Sequence, residues 1–146
     1  LAVEVFAKVA SCASNVGLAQ AALDQAVKYA KEKTHRDVPI GCKFQMTQWN
    51  LAAMAAKVAA SRALLYSVGA KVDRGEDVTL DAALLKIFSS SAAREVAADA
   101  VQVHGPYGLS KEYTVERLYR ESKFNEVVLG TNEIQRVIAA NVLLRG

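Results

Sequence analysis

The sequence predicts an all-α protein: an up-down four-helix-type bundle of long helices with a shorter helix before the last. Three observations predict it. Apolar residues make up 52% of the 146 positions and alanine is abundant, which suits helices packed at close range. Only two prolines, Pro39 and Pro106, punctuate the chain. Between these breaks apolar residues return at spacings of three and four, the period of a helix face. A β-sandwich would need many more turns. Residues 1–146 read as one domain, long enough for a real core.

The first helix is expected from Leu1 to about Lys33, with Val5, Val9, Val16, Leu18, Ala22, Val27 and Ala30 on its apolar stripe. Gly17 costs about 1 kcal/mol against alanine in a helix, so another backbone is expected to approach it closely. The cluster Lys28, Lys31, Glu32 and Lys33 favours a helix end there. Thr34 to Lys43 is a polar connection punctuated by Pro39 and Gly41.

A second helix is expected from about Phe44 to Arg74, with Met46, Trp49, Met54, Val58, Leu64, Leu65 and Val68 buried and Gly75 as its stop. Thr79 is expected to cap a third helix running to about Val103, with Asp81 in its first turn. Ser89-Ser90-Ser91 in mid-helix suits close packing of helices better than chemistry. His104-Gly105-Pro106-Tyr107-Gly108-Leu109-Ser110 reads as a turn, and His35 and His104 both fall in loops. A shorter helix is expected over Val115–Glu121, and a last one over Thr131–Leu144.

Several function classes are excluded by composition. The net charge of +3 is spread among interspersed acids and bases, which gives no nucleic-acid stripe. Cys12 and Cys42 lack the spacing of a disulfide framework or a zinc site, and no metal is expected. No uncharged apolar run approaches the ~18 residues of a membrane span, and no signal-peptide pattern opens the chain. Reduced thiols point to the cytoplasm or the mitochondrial matrix. The start at Leu1, inside an expected helix, suggests a fragment that lacks an amino-terminal portion.

The chemistry-bearing stretch is Val127-Val128-Leu129-Gly130-Thr131-Asn132-Glu133-Ile134-Gln135-Arg136. Gly130 permits a turn that a side chain resists. Thr131 caps the helix that follows, and Glu133 puts a negative charge in its first turn. A helix amino terminus can also hold an anion.

Gly-Thr-x-Glu-Ile-Gln-Arg, this close to the carboxyl end, resembles the closing motif of the acyl-CoA dehydrogenases. The rest of the chain resembles that family's helical carboxyl-terminal domain. The resemblance implies that amino-terminal helical and middle β-domains belong to the intact protein. It implies an FAD-dependent enzyme that dehydrogenates an acyl-CoA thioester at its α,β-bond, assembled as a homotetramer or dimer. In most members a glutamate, the catalytic base, precedes the Gly-Thr; here that position is Leu129. Other members carry the glutamate on the first helix, and counting back from Gly17-Leu18-Ala19-Gln20 puts that position at Ala7. Glu4, one turn earlier, and Glu126, three residues before Leu129, are candidate substitutes; each also reads as an ordinary surface carboxylate, and the absent portion is a third source of the base.

By the same resemblance, Lys33 stands where an arginine reaches the pyrophosphate of the partner subunit's FAD. Lysine keeps the charge and loses the bidentate fork. Arg36 and Asp37 replace a Phe-Gly; Arg36 is placed to take the anion and Asp37 to repel it. Tyr29 and Phe44-Gln45 match the pattern. Gln102 and Gly105 inherit contacts to a neighbour's FAD, and Pro106, without an N–H, removes one. Thr131 and Glu133 match FAD-contacting positions, Arg120 a structural ion pair, and Lys8 a weak coenzyme A contact. The absent glutamate leaves two alternatives: a non-catalytic subunit in a hetero-oligomer, or a flavoprotein with different chemistry, such as nitroalkane oxidation or hydroxylation.

Overall fold

A computed structural model describes residues 2–145 of the chain. Leu1, where the first helix was expected to begin, and Gly146 lie outside the described residues. The helices are α1 (Ala2–Glu32), α2 (Ile40–Lys43), α3 (Gln45–Asp73), α4 (Thr79–His104), α5 (Thr114–Asn125) and α6 (Asn132–Leu144). Two short strands, β1 (Thr34–His35) and β2 (Val38–Pro39), pair antiparallel between α1 and α2. The expected helical bundle is present, with α4 at its centre against α1, α3, α5 and α6.

Small residues let α1 and α4 approach. Ala19, Ala22, Ala26 and Ala30 of α1 meet Ala93, Ala97 and Ala100 of α4 in one buried cluster, closed by Met54 and Val58 of α3. A second cluster at the other end joins Val9 and Cys12 to Val68, Val78, Ala82 and Leu85. Each fully buried large apolar side chain contributes roughly 1.5–3 kcal/mol. Ser89 and Ser90 are buried as well: Asn15 donates to the Ser89 hydroxyl across the α1–α4 seam at 3.0 Å, and Ser90 donates to Asn132 of α6.

Several expectations are corrected. Met46 and Trp49 are not buried; they are 67% and 65% exposed. Apolar residues surround α3, so residue type alone does not say which face turns inward; Met54, Val58, Ser61 and Val68 do. Gly17 meets no other backbone, and a Cβ built there finds open space. Thr79 does not cap α4. It is the first helical residue, and the Asp77 carboxylate accepts from both its N–H and its hydroxyl.

The first connection is not plain loop but a hairpin whose tip, Arg36-Asp37, holds both residues at positive φ. The turn after α4 is a 3-10 helix, Gly105–Leu109, and His104 is the buried last residue of α4 rather than a loop residue. His35 lies in β1. α5 is longer than expected by several residues. Gly75, at φ +71, does stop α3. α3 is also long and apolar enough, by length and composition only, to cross a membrane. The uncharged-run criterion misses it because Lys57 and Arg62 interrupt the run. Lys57 pairs with Glu95 of α4 at 2.9 Å.

Candidate active site

The closing motif occupies the connection from α5 to α6. At the end of α5 the chain tightens: the Val127 and Val128 N–H groups both donate to the Phe124 carbonyl. Leu129 then takes φ +56 and Gly130 φ +91. A left-handed leucine costs roughly 1–2 kcal/mol, so surrounding contacts must hold it. As expected, Thr131 caps α6, its hydroxyl accepting from the Ile134 N–H at 3.4 Å. Gln135 is buried and donates to the Gly130 carbonyl, and a Cβ on Gly130 would lie 2.6 Å from its amide nitrogen. Glycine is therefore favoured there by φ, and a side chain would also force the Gln135 amide to move.

Two cations of α4 fix the connection from behind. Lys86 is fully buried and donates its ammonium to the Asn125 carbonyl, at the negative end of α5. Burial pushes its pKa down, partly offset by Cys12 and Glu126 nearby. Arg94 donates to Glu126 at 2.8 Å, and Lys123 reaches the other oxygen at 2.6 Å. Burial pushes the Glu126 carboxyl up, but these hydrogen bonds outweigh it and leave it below the usual range. Glu126 is thus no free surface carboxylate. It is an anchor, its backbone carbonyl also accepting from the Asn132 N–H.

Sequence reasoning missed Lys86, Arg94 and Gln135 as the residues that hold this connection. Lys86 had a signal: a lone charge on the stripe of Ala82, Ala83, Ser89, Ser90 and Ala93.

In front of the connection is an apolar pocket of about 250 Å³. Glu4 and Ala7 of α1 line it with Leu129 and Gly130, and α6 closes it with Ile134 and Ile138. Both positions from which the resemblance draws a base, Leu129 and Ala7, therefore face one cavity, and Glu4 shares it. Lys8, expected against coenzyme A, is buried instead.

The candidate FAD contacts fall into two groups. Glu133 lines a polar pocket of about 230 Å³ with Arg94, Lys123, Glu126 and Arg136, beside the Thr131 cap. Three cations face two carboxylates there, Arg94 and Lys123 being already paired with Glu126, so the pocket keeps an excess of one positive charge. The Glu133 carboxyl is held below its usual range by its own backbone N–H and by the Thr131 hydroxyl.

The other group lies at the far end of the bundle. Lys33 sits 5.4 Å over the ring of Tyr107, and Arg36 is exposed at the hairpin tip. Gly105, at φ +60, ends α4, and Gln102 is exposed one turn before it. Next to them His104 stacks on Tyr29 with ring centres 4.2 Å apart and hydrogen-bonds the Ala100 carbonyl through Nδ1. Burial lowers its pKa against that bond. Arg120 pairs with Glu116 on the surface of α5, as expected.

A bundle centred on one alanine-rich helix, with a left-handed turn over an apolar pocket, defines the class: an all-α helical bundle domain. A family model described as "Acyl-CoA dehydrogenase, C-terminal domain" matches residues 6–144. The chain belongs to the acyl-CoA dehydrogenase family and is similar to its carboxyl-terminal domain throughout. It is 40% identical over 138 residues to the 3-(aryl)acrylate reductase of Clostridium sporogenes, covering 94% of this chain and 36% of that protein. Butyryl-CoA dehydrogenase from Megasphaera elsdenii superposes with a TM-score of 0.93 at 37% identity, over 97% of this chain and 37% of that one. PigA, solved with FAD and proline, superposes at 0.91 with 30% identity, over 98% and 37%. The chain thus spans about a third of the length of these relatives.

Proposed function

We propose that the intact protein is an FAD-dependent oxidoreductase that dehydrogenates an acyl-CoA thioester, and that this chain is the helical domain forming one wall of its site. The observation that carries this reading is the shared cavity: Leu129 at the left-handed turn and Ala7 on α1 line the same apolar pocket. An acyl chain is the kind of group such a pocket takes. FAD would supply the two-electron acceptor.

The chain offers suitable groups for FAD's phosphates. Arg94, Lys123 and Arg136 surround the amino end of α6, and Thr131 caps it. Lys33 and Arg36, with Gln102 and Gly105, would reach the FAD of a neighbouring subunit, which fits their separation from the α6 group. Glu133 competes with an anion for the same helix end. Self-association as a dimer or tetramer, in cytoplasm or mitochondrial matrix, belongs to this reading.

The test is anaerobic. The intact protein, loaded with FAD, is mixed with a panel of acyl-CoAs and its flavin absorbance followed. Bleaching with one of them supports the reading. Firmly bound flavin that none of them bleaches counts against independent turnover.

A second reading has its own support, because neither Leu129 nor Ala7 can accept a proton. The chain would then belong to a non-catalytic subunit, and bleaching would need a second chain that carries the acid.

A further inference from the structure

We propose that Glu4, in the first turn of α1, is the proton-accepting carboxylate of the Leu129 pocket. This rests on the acyl-CoA reading above. Of the residues lining that pocket, Glu4 alone carries an acidic or basic side chain; its neighbours are aliphatic, glycine, or the amide of Gln135. Ala7 follows three residues later on the same helix face and presents only a methyl group, so nothing bulky fills the space beside the carboxylate.

Among the described residues Glu4 enters no ion pair. Glu126, the other nearby carboxylate, is bound by Arg94 and Lys123 and lines the other pocket. The two cavities therefore differ in kind. The one beside Glu133 gathers cations and suits an anion. The one beside Leu129 holds a carboxylate and a buried amide oxygen, Gln135 Oε1, that has no hydrogen-bond partner. Both are hydrogen-bond acceptors without a cation beside them, so this pocket suits an uncharged acyl group rather than a phosphate, and Glu4 is its one Brønsted base.

The step balances with a flavin as oxidant. The Glu4 carboxylate takes the α-proton of the thioester, the C–H pair becomes the new C=C bond, and the β-carbon gives its hydride to the oxidised flavin.

The experiment uses the intact holoprotein and compares wild type with Glu4→Gln. Two rates are read: washout of deuterium from an α-deuterated acyl-CoA into water, and anaerobic flavin bleaching. Loss of a general base lowers such rates by about 10²–10⁴-fold. That loss in both, with acyl-CoA affinity kept, is the expected result. Moving the carboxylate in Glu4→Gln/Leu129→Glu should restore exchange.

Glu4→Gln that exchanges and bleaches at the wild-type rate overturns the proposal and leaves the dehydrogenase reading standing. Wild type that binds FAD and acyl-CoA but neither exchanges nor bleaches overturns both, in favour of the non-catalytic subunit. Glu4 is exposed, so glutamine removes no packing. If that variant nevertheless misfolds, Glu4→Ala decides: a folded protein slowed in both rates supports the assignment, and one at full rate refutes it.

Discussion

Gly130 is held in a conformation that favours glycine. Its φ of +91 resists a side chain, and a Cβ would displace the Gln135 amide that lies 2.6 Å away. Gly130→Ala is expected to lose about 2 kcal/mol or more, read as a lower denaturant midpoint by circular dichroism. His104 makes a pH prediction. Burial holds its pKa below the ordinary value near 6.5. The unfolded chain therefore takes up its proton first as pH falls. The stability His104 contributes is complete above about pH 6.5 and drains away as pH drops toward the folded-state value. His104→Phe keeps an aromatic against Tyr29 and cannot titrate, so its denaturation midpoint should fall less than wild type's between neutral and mildly acid pH.

The elements were legible where sequence chemistry is local. Lys31 and Glu32 announced the end of α1, Gly75 that of α3, and Thr131 the start of α6. The hairpin after α1 was hidden because its tip, Arg36-Asp37, lacks the Asn-Gly or Asp-Gly that marks such turns. Asp77 and Thr79 both look like caps, and only the backbone path decides which one serves. His104 looked like the first residue of a turn because glycine and proline follow it; stacking on Tyr29 prolongs α4 through it. For the site, the motif pointed to Leu129, but its sharing a pocket with Glu4 depends on α1 returning past α6, which no local signal carries. The strained hairpin tip yields a third prediction. Arg36→Asn with Asp37→Gly relieves two left-handed side chains and should raise stability by about 1 kcal/mol in thermal melts. The intact protein should retain FAD less well, since Arg36 is a candidate phosphate ligand.

At the scale of the whole molecule, the bundle depends on alanine at the α1–α4 seam, where Ala22 and Ala26 face Ala93 and Ala97 at full burial. Larger residues have nowhere to go. Ala97→Leu should cost about 1–3 kcal/mol by overpacking, seen as a lower urea midpoint. The same seam carries α4, and through Lys86 and Arg94 α4 carries the turn at Leu129.

Trp49 gives the bundle a built-in optical gauge. It is the one tryptophan in the sequence, and it stands 65% exposed on α3 next to Met46. An indole already in water changes its emission little when the core melts, so fluorescence will under-report unfolding and the stability measurements belong to circular dichroism. The same indole will shift to the blue when any surface closes over α3, and its emission therefore follows association while remaining nearly silent about folding.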